Sequence, residues 1–182
     1  MAANYALRRR GPLSLSVNQG GGFYRTRPEL TRPDMQLYFS PLSYERAVPG
    51  VRALMKPDPF PGFSLSVSPC RPLSRGHVAI RSPDPQVAPE IAPNYLSDPE
   101  DLRILLDGAR FLHRLAATPT LSAVIDTAIR PGPEAADEEA HVAAIRANAY
   151  SVFHPCGTCR MGPDVSDAVV DARLRVHGVE GL

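Results

Sequence analysis

No apolar run in this chain approaches the roughly 18 residues that a membrane-spanning helix needs, so no transmembrane segment is expected. The first residues also lack the apolar core of a secretory signal. Excess charge of either sign is missing too, since 20 Lys and Arg against 19 Asp and Glu leave a net charge of +1. Nothing global therefore draws the chain to nucleic acid or to an anionic membrane. Its basic cluster, Arg8-Arg9-Arg10, is too short for more than a solvated patch. Cysteine is scarce. Three residues, an odd number, make no disulfide framework, and a cytoplasmic, reducing location is the expectation. Internal repeats and low-complexity tracts are absent, and so is the GxGxxG loop of a dinucleotide-binding βαβ unit. Gly20-Gly21-Gly22 follows no convincing strand and has no acidic partner after a crossover, so it reads as a flexible turn.

What is present fits one ordinary folded domain. The 182 residues are 43% hydrophobic and 21% charged, close to the globular average. Twenty prolines, about twice the usual share, favour turns and short strands over a helical bundle. Residues 1–33 read as irregular. Met35-Gln36-Leu37-Tyr38-Phe39, bounded by Pro33 and Pro41, reads as a buried strand. A long loop is expected over 41–62. Phe63-Ser64-Leu65-Ser66-Val67 alternates as a half-buried strand does, and His77-Val78-Ala79-Ile80-Arg81 is a weaker case. The short connection between these two suggests antiparallel pairing.

Helix signals are clearer. Ser97 or Asp98 can cap a helix with Pro99 in its first turn and Glu100 and Asp101 at its positive end. Its expected apolar face runs Leu102, Leu105, Leu106, Ala109, Leu112 and Leu115, and Pro119 stops it. A second helix is expected from about Asp137 to Asn148, after the breaker Pro131-Gly132-Pro133. Strands followed by helices indicate an α+β fold with a mixed or antiparallel sheet backed by helices.

Chemistry concentrates after the second helix, in Phe153-His154-Pro155-Cys156-Gly157-Thr158-Cys159-Arg160-Met161-Gly162. Imidazole is the side chain best suited to moving a proton near neutral pH. A lone histidine in a turn is nonetheless more often a structural hydrogen-bonder, and the residues alone leave both readings open. Cys156 and Cys159 form a CxxC, which can be a dithiol redox centre or half of a zinc site. No second CxxC or HxxxH completes a zinc set. Pro155 before and Gly162-Pro163 after are poor material for the helix a thioredoxin-like centre needs. Two small buried thiols around a tight turn are the plainer expectation. His113 is expected at the boundary of the core, and His141 in solvent. His77 and His177 have no partner at a diagnostic spacing, and Asp164, Asp167 and Asp171 read as a surface loop without a calcium pattern.

The block from His154 to Gly162 resembles the pattern His-Pro-x-Gly-Thr-Cys-x-Met-Gly of the glucose–methanol–choline (GMC) oxidoreductases at every fixed position. Val169-Val170-Asp171-Ala172-Arg173-Leu174-Arg175-Val176-His177-Gly178-Val179-Glu180-Gly181-Leu182 resembles the family's second block, again without departure. Gly11-Pro12-Leu13-Ser14, Gly21-Gly22-Phe23, Arg32-Pro33-Asp34-Met35-Gln36, Ser74-Arg75-Gly76 and Pro93-Asn94-Tyr95-Leu96-Ser97 extend the likeness, which is best to the choline-dehydrogenase-like branch. The resemblance implies an FAD-dependent oxidation of a small alcohol, CH–OH to carbonyl, with hydride passing to the flavin N5. It implies that His154 is the catalytic base, that Val152 and Phe153 approach the substrate, and that Cys156 and Cys159 only pack the motif. By the same likeness residues 34–150 are the sheet and helices of a substrate domain, truncated here, and 151–182 its incomplete signature segment.

The family's FAD-binding domain is not in this sequence, so a partner domain in cis or in trans is expected, and Met1 is expected to be internal to a longer reading frame. The chain alone is expected neither to hold FAD nor to turn over. Two other readings are a non-catalytic binding module of the same fold and, further off, a dithiol redox protein using Cys156 and Cys159.

Overall fold

A computed structural model describes residues 2–11, 14, 16, 18–45, 56–130 and 137–182. In chain order the elements are α1 (Ala2–Arg8), β1 (Gly20–Tyr24), β2 (Met35–Ser40), β3 (Tyr44–Glu45), β4 (Lys56–Pro57), β5 (Ser64–Pro69), β6 (His77–Ala79), β7 (Glu90–Ala92), α2 (Pro99–Ala116), α3 (Pro119–Ser122) and α4 (Glu138–Asn148). The chain divides into two compact units, Met1–Pro72 with Glu100–Ile145, and Leu73–Pro99 with Arg146–Leu182. Every strand pair is antiparallel, and the fold is α+β as the sequence indicates. Among the described residues, no helix is long and apolar enough to cross a membrane.

The first unit is built on a three-stranded sheet in the order β1-β2-β5. Strand residues alternate between faces, and pairing Leu37 with Val67 and Met35 with Tyr24 collects these four side chains on one face. Helix α2 covers that face. Gly108 on α2 stands so close that a Cβ there would meet Val67 Cγ2 at 2.9 Å and Met35 Cε at 3.0 Å. Tyr24 stacks on Phe111 of α2 at 4.2 Å between ring centroids, and burial is the main cause that pushes its phenol up to about 12. Met35 is fully enclosed, which contributes on the order of 2 kcal/mol.

The buried residues of α2 are Asp101, Ile104, Leu106 and Gly108, of which Asp101, Ile104 and Gly108 share one face. This corrects the expected apolar face, which omitted Ile104 and Gly108. The reason is steric, because a helix approaches a sheet most closely where it carries no side chain. Helix bounds otherwise follow the sequence signals. Pro99 opens α2, and the Asp137 carboxylate accepts the Ala140 N–H at 2.8 Å as α4 begins.

The turn between β1 and β2 is organised by Asp34, whose carboxylate accepts the Thr26 N–H at 2.8 Å and the Thr26 hydroxyl at 2.5 Å. Asp34 also accepts the Cys70 N–H on its carbonyl at 2.8 Å, which anchors the end of β5. Arg27 reaches Glu100 of α2 at 3.3 Å, and Glu100 pairs with Arg103 at 2.6 Å.

Four expectations change. Residues 1–33 are not irregular throughout, for they contain α1 and β1. The glycine run is not a flexible turn but strand β1. A Cβ at Gly21 would lie 2.2 Å from the Leu37 carbonyl oxygen, so β1 fits against β2 because that side chain is missing. The strands over Phe63–Val67 and His77–Arg81 do not pair with each other. β5 pairs with β2, and β6 with β7. Part of the long loop over 41–62 pairs as β3 with β4; residues 46–55, like Pro12, Leu13 and the Pro131-Gly132-Pro133 breaker, lie outside the described residues.

A candidate active-site segment

The second unit carries the motif-bearing segment. Its only strands among the described residues are β6 and β7, in register His77 with Ala92 and Ala79 with Glu90. A Cβ at Gly76 would lie 2.2 Å from the Ala92 carbonyl oxygen, so this hairpin also closes on a glycine. The Asn94 side chain donates to the Arg75 carbonyl at 3.0 Å. Asn94 and Leu96 take left-handed backbone angles, φ +54° and +59°, and this is the geometry within Pro93-Asn94-Tyr95-Leu96-Ser97.

The C-terminal blocks are joined by a hydrogen-bonded frame. Met161 bridges Val170, and Val170 bridges Val176. The Val169 N–H donates to the Arg160 carbonyl at 2.8 Å, and the Gly162 N–H to the Val170 carbonyl at 2.9 Å. The His177 N–H donates to the Val169 carbonyl at 3.0 Å, and its ring Nε2–H donates to the Gly162 carbonyl at 2.9 Å. A carbonyl only accepts, so His177 carries a proton on Nε2. The Val176 N–H reaches the Leu182 carbonyl at 2.9 Å.

Asp171 locks the second block. Its carboxylate accepts the Arg173 and Arg175 N–H groups at 2.8 and 3.0 Å and the Arg175 guanidinium at 2.9 and 2.6 Å. These bonds, the guanidinium first, pull its pKa down to about 2. Asp164 accepts the Ser166 N–H at 2.8 Å and the Ser166 hydroxyl at 2.7 Å, which lowers its pKa too. Arg160 pairs with Asp167 at 2.6 Å. The three aspartates therefore hold loop shape, as the sequence suggests.

His154 lies ahead of this frame, between Phe153 and Pro155, and is exposed. The local backbone explains its presentation. The Ser151 hydroxyl accepts the Phe153 N–H at 2.8 Å, and Phe153 adopts φ +62°, which costs a non-glycine residue about 1–2 kcal/mol. Tyr150 and Phe153 rings stand 6.4 Å apart. Val152 is 46% exposed and Phe153 78%, so an open imidazole follows two open apolar side chains in the chain. Such a group can accept a proton from a ligand whose remainder is apolar. Among the described residues no group of three or more His, Cys, Asp or Glu side chains is placed to hold a metal ion.

Cys156 and Cys159 are exposed free thiols, which corrects the expectation of buried packing residues. Gly157 between them takes φ +106°, and the resulting turn displays its side chains outward. Two residues escaped the sequence reading. Ser151 is an ordinary serine with no spacing signal. His177 has no diagnostic partner in sequence, because the group it binds is a main-chain carbonyl 15 residues away.

A family model described as GMC oxidoreductase matches residues 72–182. Alcohol dehydrogenase [acceptor] of Pseudomonas putida is 34% identical over 179 residues, covering 98% of this chain and 31% of that protein. An oxygen-dependent choline dehydrogenase of Escherichia coli is 39% identical over 164 residues, covering 90% of this chain and 28% of the relative. The chain thus spans about a third of the length of the curated relatives it matches. Among solved structures, a formate oxidase superposes with a TM-score of 0.77 at 24% identity over 98% of this chain and 35% of that one. Pyridoxine 4-oxidase from Mesorbium loti gives 0.68 at 23% identity, over 88% and 30%. At those identities the structural likeness speaks for the fold alone.

Proposed function

Because this chain belongs to the GMC oxidoreductases, a family of FAD-dependent alcohol-oxidising enzymes, we propose that it is the substrate-side portion of such an enzyme and that His154 takes the hydroxyl proton of a small CH–OH donor. The observation that carries this reading is the exposed His154 following two open apolar residues, ahead of a hydrogen-bonded frame that joins both family blocks.

The residues present do not fit the dinucleotide half of FAD. Among the described residues no strand runs through a glycine loop into a helix, and the glycine run is an antiparallel strand. A pyrophosphate needs such a loop and helix N-terminus. On this reading the FAD-binding domain is supplied in cis or in trans. FAD, when bound there, supplies the acceptor for the hydride. This chain's part is to seat the donor against Val152 and Phe153 and to accept the hydroxyl proton on an imidazole nitrogen of His154 as the carbonyl forms.

The test uses the complete flavoenzyme that contains this chain, mixed anaerobically with a panel of small alcohols while flavin absorbance is followed. His154→Ala is expected to keep its flavin and to slow bleaching by about 100- to 10,000-fold. Bleaching at the parent rate in that variant would remove His154 from the mechanism.

A further inference from the structure

Two histidines that the proposed function does not use meet at the surface of the first unit. His113 lies in the last turn of α2 and His141 in the first turn of α4. Their Nε2 atoms are 3.0 Å apart, with the rings edge to face at 84°. The His141 Nδ1 lies 2.8 Å from the Asp137 carbonyl oxygen. That oxygen only accepts, so Nδ1 carries a proton and the neutral His141 ring presents a lone pair at Nε2. His113 then donates its Nε2–H to that lone pair.

We propose that His113 and His141 form a two-imidazole site, bridging α2 and α4, for a late first-row divalent cation of the nickel, copper and zinc class. Metal–imidazole bonds of about 2.0–2.1 Å at angles between square and tetrahedral separate the two nitrogens by roughly 2.9–3.4 Å, and the observed spacing falls in that range. A ring hydrogen bond to a main-chain carbonyl is the outer support that ligating histidines commonly use, and His141 has it before any metal arrives. Imidazole nitrogen suits this end of the series, and copper(II) binds most tightly of the three. Water completes the coordination.

Protons balance without loss. His113 moves its proton from Nε2 to Nδ1, both rings stay neutral, and the cation takes the two Nε2 lone pairs in place of the shared N–H. The charged groups nearby are Arg110 and Arg114 on α2, and Asp137, Glu138 and Glu139 at the start of α4. Arg110 is paired with Glu138, so its charge is offset, and that ion pair ties the same two helices beside the histidines. Bound metal adds a second tie. Protons compete with the cation for both nitrogens, so acid weakens binding.

The experiment titrates this chain, with Cys156→Ser and Cys159→Ser introduced so that the exposed thiols take no metal, using copper(II) and then zinc(II) in a non-coordinating buffer. Calorimetry is expected to show one equivalent bound, with affinity lower by about tenfold or more in His113→Asn and in His141→Asn. Paramagnetic resonance of the copper form is expected to show two nitrogen ligands in the parent and one in each variant. His113 is exposed and His141 half-buried, and far-ultraviolet dichroism checks that each variant retains the fold. Equal affinity in parent and variants, or a copper spectrum unchanged by either substitution, overturns the proposal.

Discussion

Replacing Gly108 with alanine sets two opposed effects against each other. In a helix interior, alanine is favoured over glycine by about 0.8–1.0 kcal/mol. Here the added Cβ enters contact at 2.9 Å from Val67 Cγ2 and 3.0 Å from Met35 Cε. Methionine yields readily, but Met35 is fully enclosed, and valine is stiff about χ1. Overpacking of this kind costs about 1–3 kcal/mol. Gly108→Ala is therefore expected to destabilise the fold by about 1 kcal/mol net, lowering the melting midpoint by roughly 2–4 °C. Urea unfolding followed by far-ultraviolet dichroism reads the change as a lower midpoint at constant slope. Trimming Val67 to alanine removes the methyl that the new Cβ strikes. The double variant is thus expected to lose less than the sum of the singles, by about 0.5–1 kcal/mol of coupling. A Gly108→Ala protein as stable as its parent, or a coupling of zero, would refute the argument that α2 meets the sheet at Gly108.

Two neighbouring glycines in β1 give a sharper contrast. Gly21→Ala drives a methyl to 2.2 Å from the Leu37 carbonyl oxygen, whereas Gly22→Ala finds nothing within 4 Å; the first is expected to cost about 2 kcal/mol or more and the second less than about 0.5 kcal/mol, both read from urea midpoints. Asp171 has a pKa lowered in the folded state to about 2. Its stabilising contribution to the C-terminal frame is therefore present above the ordinary carboxylate value of about 3.9 and lost as pH falls through about 2. A carbon-detected titration of the Asp171 carboxyl checks this, and a midpoint at the ordinary value would count against the Arg175 contacts.

The elements legible in the sequence are those whose partners are dictated by period. β2 is an apolar run bounded by prolines, β5 alternates, α2 and α4 carry acidic starts and breakers, and these signals are local. What was not legible depends on close approach. A triple glycine has low strand propensity, and only the Leu37 carbonyl explains why a strand forms there. β7 is three residues long and too short to show a period, so β6 was matched with β5 instead. The site divides in the same way. The roles proposed for His154, Val152 and Phe153 come from the likeness to the family, since composition and spacing assign His154 no role. Ser151 and His177 act through main-chain groups, which have no identity in a sequence. The exposed cysteines were misjudged because small thiols are usually buried, and a left-handed glycine between them reverses that default.

Strand β1 also bears on how the first unit finds its alignment. Gly20, Gly21 and Gly22 face Phe39, Tyr38 and Leu37, and sliding β1 by one residue along β2 would exchange one hydrogen for another at most of these positions. Side chains that normally veto a slipped ladder are missing along most of the strand. The veto rests with its far end, where Tyr24 sits opposite Met35 and stacks on Phe111. The ladder's register is therefore fixed at Tyr24, the end of β1 that α2 covers. In this unit the helix acts as the ruler by which its sheet is measured.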